Sequence, residues 1–214
     1  MMVEKTFTED MLDGLKEQLS SAMSEKRYTH TCAVERMAVR LGELFCPEQI
    51  SKLRAAALLH DITKEQPLEK QLQLCEKFDI ILEPTAALAH KTLHARTAAA
   101  LIPVVYPAFA DKTVISAVRW HTTGREDMTI TDKLVYLADY IDDSRKFPDC
   151  VRLRDYFWSA EPQNMDINAR LAHLRDTLIL SFDMTVRNLL GEGVPISLDT
   201  IDARNALLLE SKDD

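Results

Sequence analysis

The sequence predicts an all-α fold, and two observations predict it. Only 5 Gly and 8 Pro occur in 214 residues, about half the usual combined share of ~12%. Apolar residues, 46% of the chain, recur at helical spacing in one segment after another. Rich in Ala, Leu, Glu and Lys, the chain reads as helices with short connections.

The elements follow in order. Thr8-Glu9-Asp10 starts a first helix whose Met11, Leu12, Leu15, Leu19 and Met23 lie on one face. A second runs from about Tyr28 to Phe45, with His30, Val34, Met37, Leu41 and Phe45 on one stripe and Cys46-Pro47 ending it. A third covers about Ser51 to Thr63, and a more polar fourth, Pro67 to Phe78, is expected on the surface. Glu83-Pro84-Thr85 interrupts the pattern. The period resumes around His90 to Ile102 and stops at Pro103. Asp111 caps a helix through Trp120, which Thr122-Thr123-Gly124 breaks. Thr131-Asp132 opens the next, with Leu134, Leu137, Ala138 and Ile141 as its core stripe, and Phe147-Pro148-Asp149 is a turn. A long amphipathic helix, about Ile167 to Leu190, closes at Gly191-Glu192-Gly193, and a final helix follows Asp199. Nothing repeats at a fixed period, so the expectation is one domain over residues 1–214.

Composition removes several functions. With 26 Lys+Arg against 34 Asp+Glu the net charge is −8, which argues against binding a nucleic acid polymer through a basic footprint. The five glycines form no phosphate loop. Cys32, Cys46, Cys75 and Cys150 form no C-x-x-C pair, so a thiolate zinc or redox site is not expected. The longest nearly apolar run, Ala98 to Ala110, is too short for a bilayer and is broken by Pro103 and Pro107. No signal-peptide stretch opens the chain. A soluble, reducing, cytoplasmic setting without membrane contact is expected.

Six histidines occur, His30, His60, His90, His94, His121 and His173. His60-Asp61, at the end of an apolar helix, sets an imidazole beside a carboxylate in a nearly dry environment. Such groups are costly to bury unpartnered, and a divalent metal satisfies both. Taken alone, the pair also fits a capping Asp with a half-buried His. The order His30 … His60-Asp61 … His94 … His121 … Asp139 goes further, because its gaps let a helix leave and return between members.

That order resembles the pattern of the HD-domain metal-dependent phosphohydrolases. The flanking stretches are Arg27-Tyr28-Thr29-His30-Thr31, Leu58-Leu59-His60-Asp61-Ile62-Thr63-Lys64, Leu93-His94-Ala95, Arg119-Trp120-His121-Thr122-Thr123-Gly124, Leu137-Ala138-Asp139-Tyr140-Ile141 and Arg145-Lys146-Phe147-Pro148. With these, almost the whole chain resembles the bacterial HD-domain symmetrical diadenosine tetraphosphate hydrolases. The resemblance implies a helical HD bundle with a metal-binding core of about 25–145 and extra C-terminal helices over about 150–214. It also implies a reaction that cuts diadenosine tetraphosphate in the middle to give two ADP, by attack of a metal-bridging hydroxide.

By the same resemblance, His30, His60, Asp61, His94, His121 and Asp139 hold two metal ions. Asp61 is the natural bridge between them. His30, His60 and Asp139 complete one shell, and His94 with His121 the other. Four imidazoles and two carboxylates suit iron, manganese, zinc or cobalt better than magnesium or calcium, and the resemblance implies iron. Asp61 and Lys64 are the candidate catalytic residues. Lys64 lies one helical turn beyond His60 if the helix continues. Because the protein is acidic, a polyphosphate needs a locally positive pocket, for which Arg27, Lys64, Arg125 and Arg145 are candidates, with Thr122, Thr123 and Gly124 as phosphate donors. His90, four residues before His94, is an alternative ligand, but the family's Leu-His-Ala pattern selects His94 and leaves His90 at the rim. His173 and Cys32 read as structural, Cys32 in the core. The C-terminal helices either cover the core or form a homodimer face. The alternatives on these residues are another nucleotide or alarmone phosphohydrolase of the superfamily, and a non-catalytic nucleotide-binding helical module.

Overall fold

The computed structural model describes residues 6–82 and 90–210. Among them ten α-helices form, with short 3₁₀ turns between and no strand. The interruption expected at Glu83-Pro84-Thr85 and the side chain of His90 lie outside the described residues.

Thr8 caps α1 (Glu9–Ala22) by accepting from the Met11 amide, and Leu12, Leu15 and Leu19 turn inward. The second helix, α2 (Glu25–Phe45), starts ahead of the expected Tyr28 because the Ser24 hydroxyl accepts from the Arg27 amide and supplies the cap. In α3 (Ile50–Leu59), Ala55, Ala56 and Ala57 are all buried, and small side chains let neighbours approach closely. At Gly42 of α2 an added Cβ would lie 2.7 Å from Leu53 Cδ1. Contrary to expectation, α3 does not reach Thr63. The His60 ring bonds the Ala57 carbonyl that the Asp61 amide would need in a continuing helix, and residues 60–65 fold as turns.

Next come α4 (Leu68–Lys77) and α5 (Leu93–Val105). Most of α4 is exposed as expected, but Gln71 and Cys75 are buried. Pro103 does not end α5. It sits in the last turn, where its missing N–H costs one bond while the Tyr106 amide still donates to Ile102 at 2.8 Å. Asp111 caps α6 (Lys112–Trp120) as expected. The cap of α7 (Ile130–Ile141) is Thr129 rather than Thr131-Asp132, and Asp132 completes a capping box with it. The expected turn at Phe147-Pro148-Asp149 is instead the start of α8 (Pro148–Ser159), since a proline at the first helical position loses no internal bond. The long α9 (Ile167–Glu192) ends at Gly193, whose φ of 66° closes the helix, and α10 (Leu198–Glu210) follows.

Helices α2, α3, α6 and α7 pack on one another, with α1 against α2 and α3 and with α5 between α4 and α6. Met37, Leu41, Leu53, Leu58, Leu59, Leu134 and Leu137 are buried between them, each stabilising the fold by roughly 1.5–3 kcal/mol. On the outside, α9 packs against α7, α8 and α10. Phe182 of α9 stacks on Tyr136 of α7 at 4.7 Å and ties this layer to the core.

One buried charged group is internally complete. Glu35, 3% exposed, meets Arg54 Nε at 2.8 Å and Lys16 Nζ at 2.6 Å. Arg54 Nη1 also meets Glu9 at 2.6 Å. Both Glu35 oxygens are used, and the group ties α1, α2 and α3 together.

Candidate metal centre

Five helices deliver six side chains to one point. His30 comes from α2, Asp139 from α7 and His94 from the first turn of α5, while His60 and His121 stand at the C-terminal ends of α3 and α6. Asp61 follows His60 in the turn. The two helix ends use the same device. His60 Nδ1 donates to the Ala57 carbonyl at 2.6 Å and His121 Nδ1 to the Val118 carbonyl at 2.7 Å. A carbonyl only accepts, so Nδ1 keeps its proton and each Nε2 faces inward.

Asp61 stands between two sets of imidazoles. Its Oδ1 is 3.1 Å from His94 Nε2 and 3.7 Å from His121 Nε2. Its Oδ2 is 3.4 Å from His60 Nε2 and 3.8 Å from His30 Nε2. Asp139 Oδ1 lies 3.0 Å from His30 Nε2 and 3.7 Å from His60 Nε2. His30, His60 and Asp139 form one group with all ligand atoms within 4.8 Å, and His60, Asp61 and His121 form another. The Nε2 atoms of His30 and His60 are buried and make no hydrogen bond. Imidazole nitrogens aimed at carboxylates, each ring held from behind by a hydrogen-bonding partner at Nδ1, suit a divalent cation. These residues fit a metal.

The electrostatics agree. Burial pulls His60 down, but the charges of Asp61 and Asp139 outweigh it and push the ring up to about 10. A field that holds a proton there favours any cation. Burial dominates at His94, pulling it down to about 4, and lowers His121 likewise, so both rings are neutral ligands at pH 7. Burial would raise both carboxyls, yet they stay well below the ordinary range, Asp61 through its histidines and Asp139 through Arg145 and then His30.

The remaining candidates separate. Arg27 pairs with Asp61 and Arg145 with Asp139. Lys64 reaches the cluster from a turn rather than a continuing helix, with Nζ 3.3 Å from both His94 nitrogens. Burial lowers its pKa against the pull of Asp61 and Asp139. The Thr122 hydroxyl is buried without a partner and borders a cavity at the cluster. Three candidates are engaged elsewhere. Arg125 pairs with the buried Asp132 at 3.3 Å and lies near the Trp120 ring. Thr123 donates to the Gly124 carbonyl. Gly124 has φ 65°, and a Cβ there would come within 2.7 Å of the Phe182 ring, so backbone geometry and contact with α9 explain this glycine. His173 stacks on Phe157 and bonds its carbonyl, a structural role as expected. Cys32 is half-buried rather than in the core.

Sequence reading missed the groups behind the ligands. Asp142, fully buried, places Oδ2 3.4 Å from His30 Nδ1, and Ser144 Oγ lies 3.3 Å from the same nitrogen. Gln71 of α4 donates to the Thr63 carbonyl and accepts from Thr97, while Thr63 donates to the His94 carbonyl. That network joins the turn after Asp61 to the start of α5. Periodicity carries no signal for it, because a buried glutamine on a polar helix resembles a solvated one.

The HD-domain family profile matches residues 27–143, a span that holds all six clustered side chains. The chain belongs to the HD-domain family. As an HD-domain hydrolase it is 31% identical, over 202 residues, to the symmetrical bis(5′-nucleosyl)-tetraphosphatase of Bacillus subtilis (strain 168), covering 94% of this chain and 97% of that protein. It is 30% identical to the protein of the same name from Halalkalibacterium halodurans, covering 89% and 93%. A crystal structure from Clostridium acetobutylicum, described as a predicted HD superfamily hydrolase involved in NAD metabolism, superposes with a TM-score of 0.80. Its sequence is 30% identical, with 96% of this chain and 100% of that one covered. The all-α fold expected from the sequence is the HD fold. Among the described residues no helix is long and apolar enough to cross a membrane.

Proposed function

We propose that this HD-domain hydrolase is a symmetrical diadenosine tetraphosphatase, cutting the phosphate chain at its centre to release two ADP. The observation that carries this reading is Asp61, whose two oxygens face two separate sets of imidazoles. The names of its relatives supply the substrate. His30, His60 and Asp139 would hold one metal ion, His94 and His121 the other, and Asp61 would bridge them. When bound, such ions lower the pKa of a coordinated water and neutralise charge on a phosphoryl group. The four imidazoles fit iron, manganese, zinc or cobalt, and iron is the proposed metal.

The chain's own residues then position the polyphosphate. Arg145 and Lys64 border the cavities beside the cluster and offer guanidinium and ammonium donors to phosphate oxygens. Arg27 approaches from α2, and the Thr122 hydroxyl has no internal partner to compete. The leaving ADP departs as a stabilised anion, so it needs charge neutralisation more than a proton, and the half-buried Lys64 suits that task. We read residues 1–214 as one HD-type domain acting on a small molecule in the cytoplasm, since α9 both packs on α7 and borders the cavity at the cluster.

The test is product analysis. Pure protein incubated with diadenosine tetraphosphate should release ADP as the sole nucleotide, whereas ATP plus AMP refutes the central cut. Metal analysis of protein purified without chelator should find about two ions per chain, and less than about one refutes the paired site.

A further inference from the structure

Two cavities meet at the cluster, and the residues that border both include its cations. One, about 590 Å³, is walled by Tyr136 and Tyr140 of α7, Cys150 of α8, and Thr185 and Asn188 of α9. The other, about 940 Å³, opens between the start of α2 and residues 144–148. Lys64, Arg145, Phe147 and Pro148 border both. Each cavity falls in the range of small-molecule sites, ~300–1,000 Å³.

Phe147 is one of the residues lining both. It is 69% exposed, the most exposed aromatic among the described residues. A single exposed ring means little by itself, but this ring flanks two cavities next to a cation pair. Its backbone is also stiff, because Pro148 restricts the preceding residue to extended conformations, and Phe147 adopts φ −62° and ψ 137°. A rigid, solvent-facing ring beside phosphate-binding cations is the usual platform for a nucleobase. Tyr140, Thr185 and Asn188 also line the first cavity; the Asn188 Nδ2 donates to Asp149 at 2.8 Å and leaves its Oδ1 as an acceptor for a ribose or base edge.

We propose that Phe147 is a nucleobase-stacking residue that separates two nucleoside subsites. One nucleoside of a dinucleoside polyphosphate lies in the α7–α8–α9 cavity, the other in the cavity beside α2, and the central phosphates lie at the shared Lys64 and Arg145. The assignment rests on the proposed reaction, and it explains why the chain would be cut in the middle. With a nucleoside on either side of the shared cations, the middle of the bridge is what reaches Asp61. It also gives α9 a role as one wall of a subsite.

The test is binding of two probes, ADP and inorganic pyrophosphate, measured by calorimetry on the protein purified with its metal. Phe147→Ala and Phe147→Leu should each weaken ADP about tenfold, the loss expected for one base–aromatic stack. Phe147→Tyr should keep ADP within about twofold of wild type, and pyrophosphate should bind all four proteins alike. ADP binding unchanged in Phe147→Ala overturns the proposal. So does ADP binding retained by Phe147→Leu, which would mean that the side chain only fills a wall. Equal weakening of ADP and pyrophosphate also overturns it, by showing a general disturbance of the site. A wild-type protein that stacks ADP on Phe147 yet leaves diadenosine tetraphosphate intact refutes the proposed reaction and not the stacking.

Discussion

Two buried charged groups share α3, one through Arg54 and the other at the helix's C-terminal end, and they are built on opposite rules. Around Glu35, the carboxylate oxygens meet Arg54 and Lys16, and Arg54 extends to Glu9. Around Asp61, two buried imidazole nitrogens have no hydrogen bond, and two neutral rings bring their Nε2 atoms within 3.0 Å of each other. Both groups bear desolvation costs that only good partners offset. The first finds its partners in the chain and serves as a brace between helices. The second has Arg27 and Arg145 on its carboxylates but leaves imidazole nitrogens without a hydrogen bond, an arrangement that fits a cation from outside. Incomplete satisfaction, rather than burial or charge, separates a site from a brace.

Breaking that contrast should have its largest effect at Asp61. Asp61→Ala removes the carboxylate both sets of imidazoles share, and turnover of diadenosine tetraphosphate should fall by about 10³-fold or more, a loss of several kcal/mol in transition-state stabilisation. Wild-type turnover in this variant would end the assignment. Arg54→Ala should do the reverse. Leaving Glu35 with Lys16 alone costs about 3 kcal/mol, at the low end for a broken buried pair, while turnover per folded molecule at 25 °C stays the same. Thermal melting and an activity assay on one preparation separate the two effects.

Metal addition sharpens the comparison. A ligand at about 100 times its Kd stabilises by ~2.7 kcal/mol. Manganese added to chelator-treated protein should therefore raise Tm by about 5–10 °C. The rise should persist in Arg54→Ala and vanish in His121→Ala, and a rise that survives in His121→Ala would place the ion elsewhere. The smallest effect is expected behind the ligands. Asp142→Asn weakens the acceptor facing His30 Nδ1 and should lower metal affinity by about 10- to 100-fold, as read by competition with a chromogenic chelator. Unchanged affinity would reduce Asp142 to a partner of Ser144 and Arg145 alone.

Local rules carried the sequence reading a long way, and its errors share a cause. Caps at Thr8 and Asp111 and the stop at Gly193 are short-range signals, and the structure places them where they are legible. The early end of α3 was not legible, because a side chain, His60, competes for a backbone carbonyl. The start of α8 was misread because a proline that ends one helix also opens another. Arg125 shows the limit for charge, since proximity to His121 in sequence says nothing about the buried Asp132 it pairs with.

By itself, then, the sequence determined helical content and most helix boundaries, properties set within a few residues of chain, while resemblance along most of its length singled out the six candidate side chains. Only the tertiary structure decided which oxygen of Asp61 faces which imidazoles, that Asp142 and Gln71 stand behind them, and that Lys64 and Arg145 border two cavities at once. Those relations are distances between groups tens of residues apart. They follow from how helices pack, and packing is a property of the whole core.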